Sequence, residues 1–246
     1  MSARRFLSLQ ARDNPLKRRH NRPVPSPITA LGRLNAHFVG RVLTAAVIIV
    51  ALLLPYWWIN QNTRPRIDLM TPLDAAIPFL PWTLPIYESF YALILAAAWV
   101  CRAEEFLSTL KALVVGNLIA YACFFTLTAH YPRPDPAVIS SPWLRSGFEA
   151  LFSADAPGNT FPSLHVAVTW LLTLRMRRRR WGGLWLVWGG LVALSTLTVK
   201  QHFIADVVGG IALATALNAW MLSPRSVASP ARGREDSPGD RRETRG

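Results

Sequence analysis

Cysteine is nearly missing from this chain: Cys101 and Cys123 are the only two in 246 residues. Both sit in apolar runs without C-x-x-C or metal-ligand spacing, so they carry no redox or zinc signal and read as small core hydrophobes. Charge is scarce as well. Charged residues make up 17% of the chain against 51% hydrophobic ones, and the mean hydropathy is +0.23. That is too apolar and too charge-poor for an ordinary soluble domain, and it confines disorder to the ends. A cleavable leader is also missing from view, because the opening ~40 residues are polar and basic and lack the apolar run that a signal peptide needs. The first apolar segment is therefore expected to stay in the mature protein. What the chain has in excess is tryptophan, 10 residues of it, a side chain suited to the zone where lipid headgroups meet hydrocarbon. It also has a net charge of +13, from 27 Lys and Arg against 14 Asp and Glu, which suits either nucleic acid or an anionic membrane surface.

A membrane-spanning helix needs ~20 mostly apolar residues. Six stretches poor in Asp, Glu, Lys and Arg are candidates. The first lies between Arg41 and Arg64, the third between Lys111 and Arg133, the fifth between Arg180 and Lys200 and the sixth between Asp206 and Arg225. The second runs from Ile86 to Cys101 and contains Glu88; the fourth, from Pro162 to Leu174, is barely long enough unless the arginines behind it snorkel to the headgroups. Glycine pairs in the fifth and sixth suggest close helix packing. The proline-rich stretch from Ile67 to Pro85 has too little continuous helix potential to span and reads as a loop or interfacial lid.

The cations separate by connection. Of the 27 Lys and Arg residues, 22 fall in the arm up to Arg41, between Arg102 and Lys111, from Arg175 to Arg180 and from Arg225 onward. The alternate connections hold only Arg64, Arg66, Arg133, Arg145 and Lys200, while the acidic residues divide evenly, 7 and 7. That asymmetry predicts six helices with both ends cytoplasmic, and it gathers the basic residues on one membrane face, which leaves no nucleic-acid reading. The expected fold class is all-α: a polytopic membrane protein with six transmembrane helices in one bundle. Its parts are a basic cytoplasmic arm over 1–38, a membrane domain over 39–222 and a disordered cytoplasmic tail over 223–246, which is rich in Arg, Ser, Pro and Gly and lacks aromatics.

On this topology the polar residues capable of chemistry face the non-cytoplasmic side. Arg133 stands in Y-P-R-P; Ser163 and His165 open the fourth candidate in F-P-S-L-H; Lys200, His202 and Asp206 open the sixth in V-K-Q-H-F-I-A-D. Ionisable groups at the membrane are costly unless paired or functional. His202 and Asp206, four apart, share a helix face, so the carboxylate can hold one imidazole nitrogen while the other points outward. Taken singly, each piece also reads as a helix-end pair, a helix cap or a solvated loop cation; their convergence on one leaflet favours a site. Helix N-termini with free N–H groups, together with Arg133 and Lys200, suit a phosphate. One histidine then attacks phosphorus and the other protonates the departing oxygen. Two histidines and an aspartate could ligate zinc, but the neighbouring cations oppose it, so neither metal nor cofactor is expected.

These residues are similar to those of the type 2 phosphatidic acid phosphatase superfamily of lipid phosphate phosphatases. Its motifs K-x-x-x-x-x-x-R-P, P-S-G-H and S-R-x-x-x-x-x-H-x-x-x-D survive here as Arg133-Pro134, as Pro162-Ser163-Leu164-His165, and as Ser195 with His202 and Asp206. Thr126 and Thr196 stand where the motif lysine and arginine belong, and Leu164 replaces the glycine. The resemblance covers about Ile67 to Leu222. It implies that His202 is the nucleophile, Asp206 its orienting partner and His165 the general acid, with Arg133 and Ser163 on the phosphate and Lys200 a partial substitute for the missing cations. I-P-F-L-P-W, N-T-F-P-S-L-H and K-Q-H-F-I-A-D resemble most the branch containing inositol phosphorylceramide synthases. The expectation is an integral membrane lipid phosphatase that cleaves a phosphomonoester through a phosphohistidine. It would be multi-pass in a bacterial-type inner membrane, its site facing periplasm or lumen, with a membrane lipid as its partner and no obligate protein partner. The alternatives are a phosphotransferase that moves a head group between lipids and a non-catalytic scaffold or transporter.

Overall fold

The computed structural model describes residues 37–63, 67–129 and 131–222. The expected arm up to residue 36, the tail from 223, and Arg64 and Arg66 lie outside the described residues. Among those described the fold is all-α. The helices in chain order are α1 (Phe38–Asn62), α2 (Pro72–Ala76), α3 (Leu84–Glu88), α4 (Phe90–Val100), α5 (Ala103–Thr126), α6 (Pro142–Ala154), α7 (Leu164–Met176), α8 (Gly182–Thr198) and α9 (Ile204–Met221). Among the described residues extended pairing is limited to a single parallel bridge, Ile67 with Ala129.

Among the described residues four stretches are long and apolar enough to cross a membrane: Phe38–Asn62, Pro81–Val100, Ala103–Thr126 and Ile204–Met221. The lipid-facing character of α1 is plain, since Val47 is 69% and Leu54 70% exposed, a surface that water would not tolerate over a whole helix. The fourth and fifth candidates form shorter apolar helices of 13 and 17 residues, α7 and α8. At 1.5 Å per residue α7 covers only about 20 Å of a ~30 Å hydrocarbon layer. Its environment accounts for this: α7 packs against α4, α5, α8 and α9, so its length is set by protein neighbours rather than by lipid.

Close approach around α7 depends on glycine. A Cβ at Gly210 of α9 would lie 2.6 Å from the Ser163 carbonyl oxygen, and one at Gly189 of α8 would lie 2.2 Å from Thr173 Oγ1. The glycine pairs thus act as expected at Gly210 and Gly189, while Gly190 has open space beside it.

Three departures from the sequence expectation concern the connections. The second candidate begins earlier than Ile86: a 3₁₀ turn at Pro81–Thr83 leads into α3, and the chain bends at Ser89 before α4. Ser89 Oγ donates to the Ile86 carbonyl and accepts the Trp188 indole N–H at 2.8 Å, which fixes that bend against α8. The proline-rich stretch is mainly loop, but it contains α2, whose Thr71 and Asp74 cap each other across the first turn. The connection before the fourth candidate also contains a helix, α6, which buries Leu144 and Phe148 among Leu84, Tyr87, Ile139 and Val199.

The connections gather at two ends. At one, Arg41 donates to the Cys101 carbonyl at 2.6 Å, Glu105 pairs with Arg179, and Arg175 reaches the Leu222 carbonyl. At the other, Ile67 bonds Thr128, Tyr131 bonds Pro157, Arg133 bonds Asp155 and Lys200 bonds Asp74. Every residue singled out as a candidate for chemistry lies in or beside this second set.

Candidate active site

The link from α8 to α9 is built by a tight helix ending. Lys200 takes a left-handed conformation at φ 59°, its N–H bonds the Leu197 carbonyl at 3.3 Å, and the Gln201 N–H reaches back to Thr196 at 3.1 Å. This pair of bonds is the Schellman pattern, in which glycine usually occupies the left-handed position. It reverses the chain so that His202 precedes the first turn of α9. Asp206, three residues after the N-cap Phe203, accepts the Phe203 N–H at 2.9 Å through Oδ2, and the same oxygen faces His202 Nδ1 at 3.3 Å. One carboxylate oxygen thus caps the helix and orients the imidazole. Because the carboxylate accepts, Nδ1 carries the proton and Nε2 keeps its lone pair. Asp206 is fully enclosed, while the His202 side chain retains 12% exposure.

Ser163 joins the second stretch to the third. Its N–H donates to the Asp206 carbonyl at 3.0 Å, and its Oγ caps α7 by accepting the Val166 N–H at 3.2 Å. His165, the second residue of α7, lies between Tyr87, whose ring stacks on it at 4.0 Å and 13°, and Phe90 at 3.9 Å. Its Nε2 is 3.0 Å from the Tyr87 carbonyl oxygen. A carbonyl can only accept, so Nε2 holds a proton and Nδ1 is the nitrogen free to take or give one.

Arg133 is anchored from three directions. Its Nη1 donates to the Asp155 carbonyl, its Nη2 to Gln201 Oε1 at 2.9 Å and to the Ala156 carbonyl at 3.4 Å, and Nη2 is 3.6 Å from the Asp155 carboxylate. The guanidinium lies 4.8 Å over the Phe152 ring. Burial holds the Arg133 pKa below its ordinary value, opposed by the Asp155 charge. Burial also pushes the Asp155 carboxyl up, against the pull of Arg133 and of the Tyr56 hydroxyl that donates to it at 2.8 Å.

Lys200 is directed elsewhere. Its Nζ donates to the carbonyls of Ile77 at 2.5 Å and Asp74 at 3.1 Å, where it closes the end of α2. Burial lowers its pKa, opposed by the Asp74 charge. Asp74 is itself 2% exposed and accepts the Ile204 N–H at 2.7 Å through Oδ1 and the Thr71 N–H at 2.9 Å through Oδ2. At α9 the opening N–H groups of Phe203 and Ile204 bond Asp206 and Asp74, so these two are not among the groups that the helix N-terminus offers to an anion. Of the two threonines at the lost cation positions, Thr126 is exposed and bonds its own helix at Ala122, and Thr196 is buried on Ala193.

The structure thus joins His202 to Asp206, Asp206 to Ser163, and Arg133 to Gln201 beside His202; it turns the Lys200 ammonium toward α2. Sequence reasoning missed Asp74, Asp155, Tyr56 and Gln201. A signal existed for Asp74, since T-P-L-D is a capping pattern, but nothing local names its partner Ile204. Among the described residues no group of three or more His, Cys, Asp or Glu side chains is placed to hold a metal ion. No curated protein and no solved structure matches the chain. A family model described as the PAP2 superfamily matches residues 57–220, a region that contains His165, His202, Asp206, Arg133, Ser163 and Lys200.

Proposed function

The chain belongs to the PAP2 superfamily, and on that premise we propose that it is a membrane-embedded enzyme that cleaves a lipid phosphomonoester through a phosphohistidine on His202. Membership supports a phosphatase- or phosphotransferase-type lipid enzyme in general. The observation that carries the finer reading is the His202 Nδ1 to Asp206 Oδ2 contact, made beside the residue that holds Arg133.

In the proposed first step, His202 Nε2 attacks phosphorus and the bond from phosphorus to the lipid oxygen breaks. A proton held at His165 Nδ1 by the negative charge of the bound phosphate passes to that oxygen, releasing the lipid alcohol. Asp206 compensates the positive charge that develops on His202. In the second step His165 Nδ1 takes a proton from water, the water oxygen attacks phosphorus, and the phosphorus–nitrogen bond breaks to free phosphate and neutral His202. Arg133 and Ser163 contact the phosphoryl oxygens, and Lys200 adds positive potential from its seat on α2. Six helices cross the bilayer with both ends cytoplasmic, and the site opens to periplasm or lumen.

One observation favours a second reading, transfer of a phosphoryl head group between lipids as in inositol phosphorylceramide synthases. Arg133 is paired with Asp155, and Lys200 sits beside Asp74, so with Asp206 three carboxylates accompany two cations. A monoanionic phosphodiester is easier to desolvate there than a dianionic monoester.

The experiment incubates the purified full chain in detergent micelles with labelled lipid phosphomonoesters and phosphodiesters, with and without an alcohol acceptor. Phosphate release or head-group transfer that disappears in His202→Ala and in His165→Ala is the expected result. No product from either lipid class refutes the enzymatic reading and leaves a scaffold or transporter.

A further inference from the structure

We propose that Gln201 is an anion-binding residue of this site, its side-chain amide donating to an oxygen of the phosphoryl group that His202 attacks. The proposal rests on the reading of His202 as nucleophile. Gln201 is 4% exposed, and its Oε1 accepts from Arg133 Nη2 at 2.9 Å. A guanidinium has donors and no acceptor, so the amide cannot be turned the other way: oxygen faces Arg133 and the NH₂ group faces away from it. That NH₂ group is enclosed and has no hydrogen-bond partner among the described residues. Buried polar groups are almost always satisfied, and one left open in a site is a place where a ligand atom completes the bonding.

The surroundings of Gln201 share this character. Arg133 Nε, Asn159 Nδ2 and Thr160 Oγ1 are likewise enclosed and without partners among the described residues. Asn159 and Thr160, 4% and 3% exposed, belong to the loop whose Asp155 and Ala156 carbonyls hold Arg133. Three of these four atoms, the Gln201 amide included, can only donate, and the fourth, a hydroxyl, can. Donors with unused capacity on the guanidinium, on the amide that holds it and in the loop that anchors it suit the oxygens of a tetrahedral anion. Asp206 Oδ1 is the acceptor in the neighbourhood without a partner, and its carboxylate is already tied to His202 Nδ1, the nitrogen remote from the reacting Nε2. Gln201 precedes His202 directly in the chain, and Gln201 N is fixed on Thr196 at 3.1 Å, so the amide and the imidazole are carried by one rigid link.

The test separates binding an anion from merely steering Arg133. Gln201→Glu keeps an oxygen for Arg133 and replaces the donor with a second oxygen; Gln201→Leu removes both. The probe is orthovanadate, followed by the thermal shift it gives to the intact chain in detergent micelles and by its inhibition of lipid turnover. Vanadate affinity and kcat/KM are expected to fall about tenfold in Gln201→Leu, the loss of one hydrogen bond to a charged group, and further in Gln201→Glu, where the new oxygen repels the anion. The vanadate-free thermal midpoint of Gln201→Glu should stay near that of the parent chain, because the Arg133 contact survives. If Gln201→Glu binds vanadate and turns over lipid as the parent does, the proposal is wrong and the enzymatic reading stands. If the parent neither binds vanadate nor turns over lipid, both fall together. Should Gln201→Glu fail to fold, the Gln201→Leu comparison decides alone: parent-like affinity overturns the assignment, and a loss with an unchanged midpoint supports it.

Discussion

Replacing Asp74 by alanine strips a heavily used acceptor at the end of the bundle that carries the candidate site. Its carboxylate receives the Ile204 N–H, the Thr71 N–H and the Thr71 hydroxyl while 2% exposed, so it caps α9 from outside and α2 from within. Loss of a helix cap costs about 1 kcal/mol and each of the two stranded buried N–H groups at least about 1 kcal/mol, which gives a lower bound of roughly 3 kcal/mol for Asp74→Ala. In a domain of this size that corresponds to a midpoint lower by about 6–12 °C. Turnover should fall as well, because Ile204 terminates the link that carries His202. The effect has a pH signature. Burial pushes the Asp74 carboxyl up, but hydrogen bonds from Thr71 and Ile204 more than offset it, and the pKa lies below the ordinary 3.8. A carboxyl with a lowered folded pKa contributes stability above its unfolded value and loses it as pH falls through the folded value, so the contribution is present above about pH 4 and disappears in stronger acid. Thermal melts of the solubilised full chain from about pH 3 to about pH 6, with turnover in parallel, check both points. The difference between the parent chain and Asp74→Ala should be large at the upper end and shrink at the lower. An alanine variant that melts and turns over like the parent across that range would refute the claim that this segment fixes the α9 start.

Asp206→Asn keeps an oxygen for the Phe203 N–H but loses the charge facing His202; turnover should drop about 10- to 100-fold while the midpoint moves little, as read by single-turnover kinetics and melting. Gly210→Ala drives a methyl to 2.6 Å from the Ser163 carbonyl oxygen, so α9 must shift off the α7 start; a loss of about 1–3 kcal/mol and a parallel loss of turnover are expected in the same two assays. Lys200→Gly relieves the left-handed strain at φ 59° but removes the bonds to Asp74 and Ile77, so the midpoint should stay within a few degrees while turnover falls with the lost charge. Unchanged turnover in that variant would leave Lys200 a purely structural strap.

The long helices were legible because their signal is local. An unbroken apolar run such as the one after Arg41 has few alternatives to a spanning helix, and α1, α5 and α9 overlap the runs marked for them, but each starts earlier: α5 begins at Ala103, so the stretch from there to Lys111, read as a connection, is its first two turns. The second candidate was placed late because Pro81 and Pro85 read as breakers, whereas each occupies the first turn of a short helix, where a missing N–H costs nothing. The length of α7 was legible too, but not its cause, since enclosure by α4, α5, α8 and α9 is a property of the packed bundle and not of thirteen residues.

In the candidate site the same divide follows sequence separation. His202 and Asp206 are four apart, so their pairing could be inferred from the spacing, but not its form: His202 stands before the Phe203 N-cap rather than on a shared helix face, and it meets the carboxylate that caps α9. The contacts that organise the remainder span the chain: Asp74 to Ile204 across 130 residues, Arg133 to Gln201 across 68 and Tyr56 to Asp155 across 99. Each involves a residue type common in loops, with no pattern that names its partner. Their consequence is that the carboxylate oxygen facing His202 is also the one that starts α9, while the peptide carbonyl of the same residue starts the link to Ser163 and α7. Orientation of the imidazole is therefore not a separate device laid over a finished fold. A variant that weakens the α9 start should degrade catalysis and melting together, whereas one that touches only the Gln201 amide should degrade catalysis alone, and that contrast is what distinguishes the frame of the site from its anion contact.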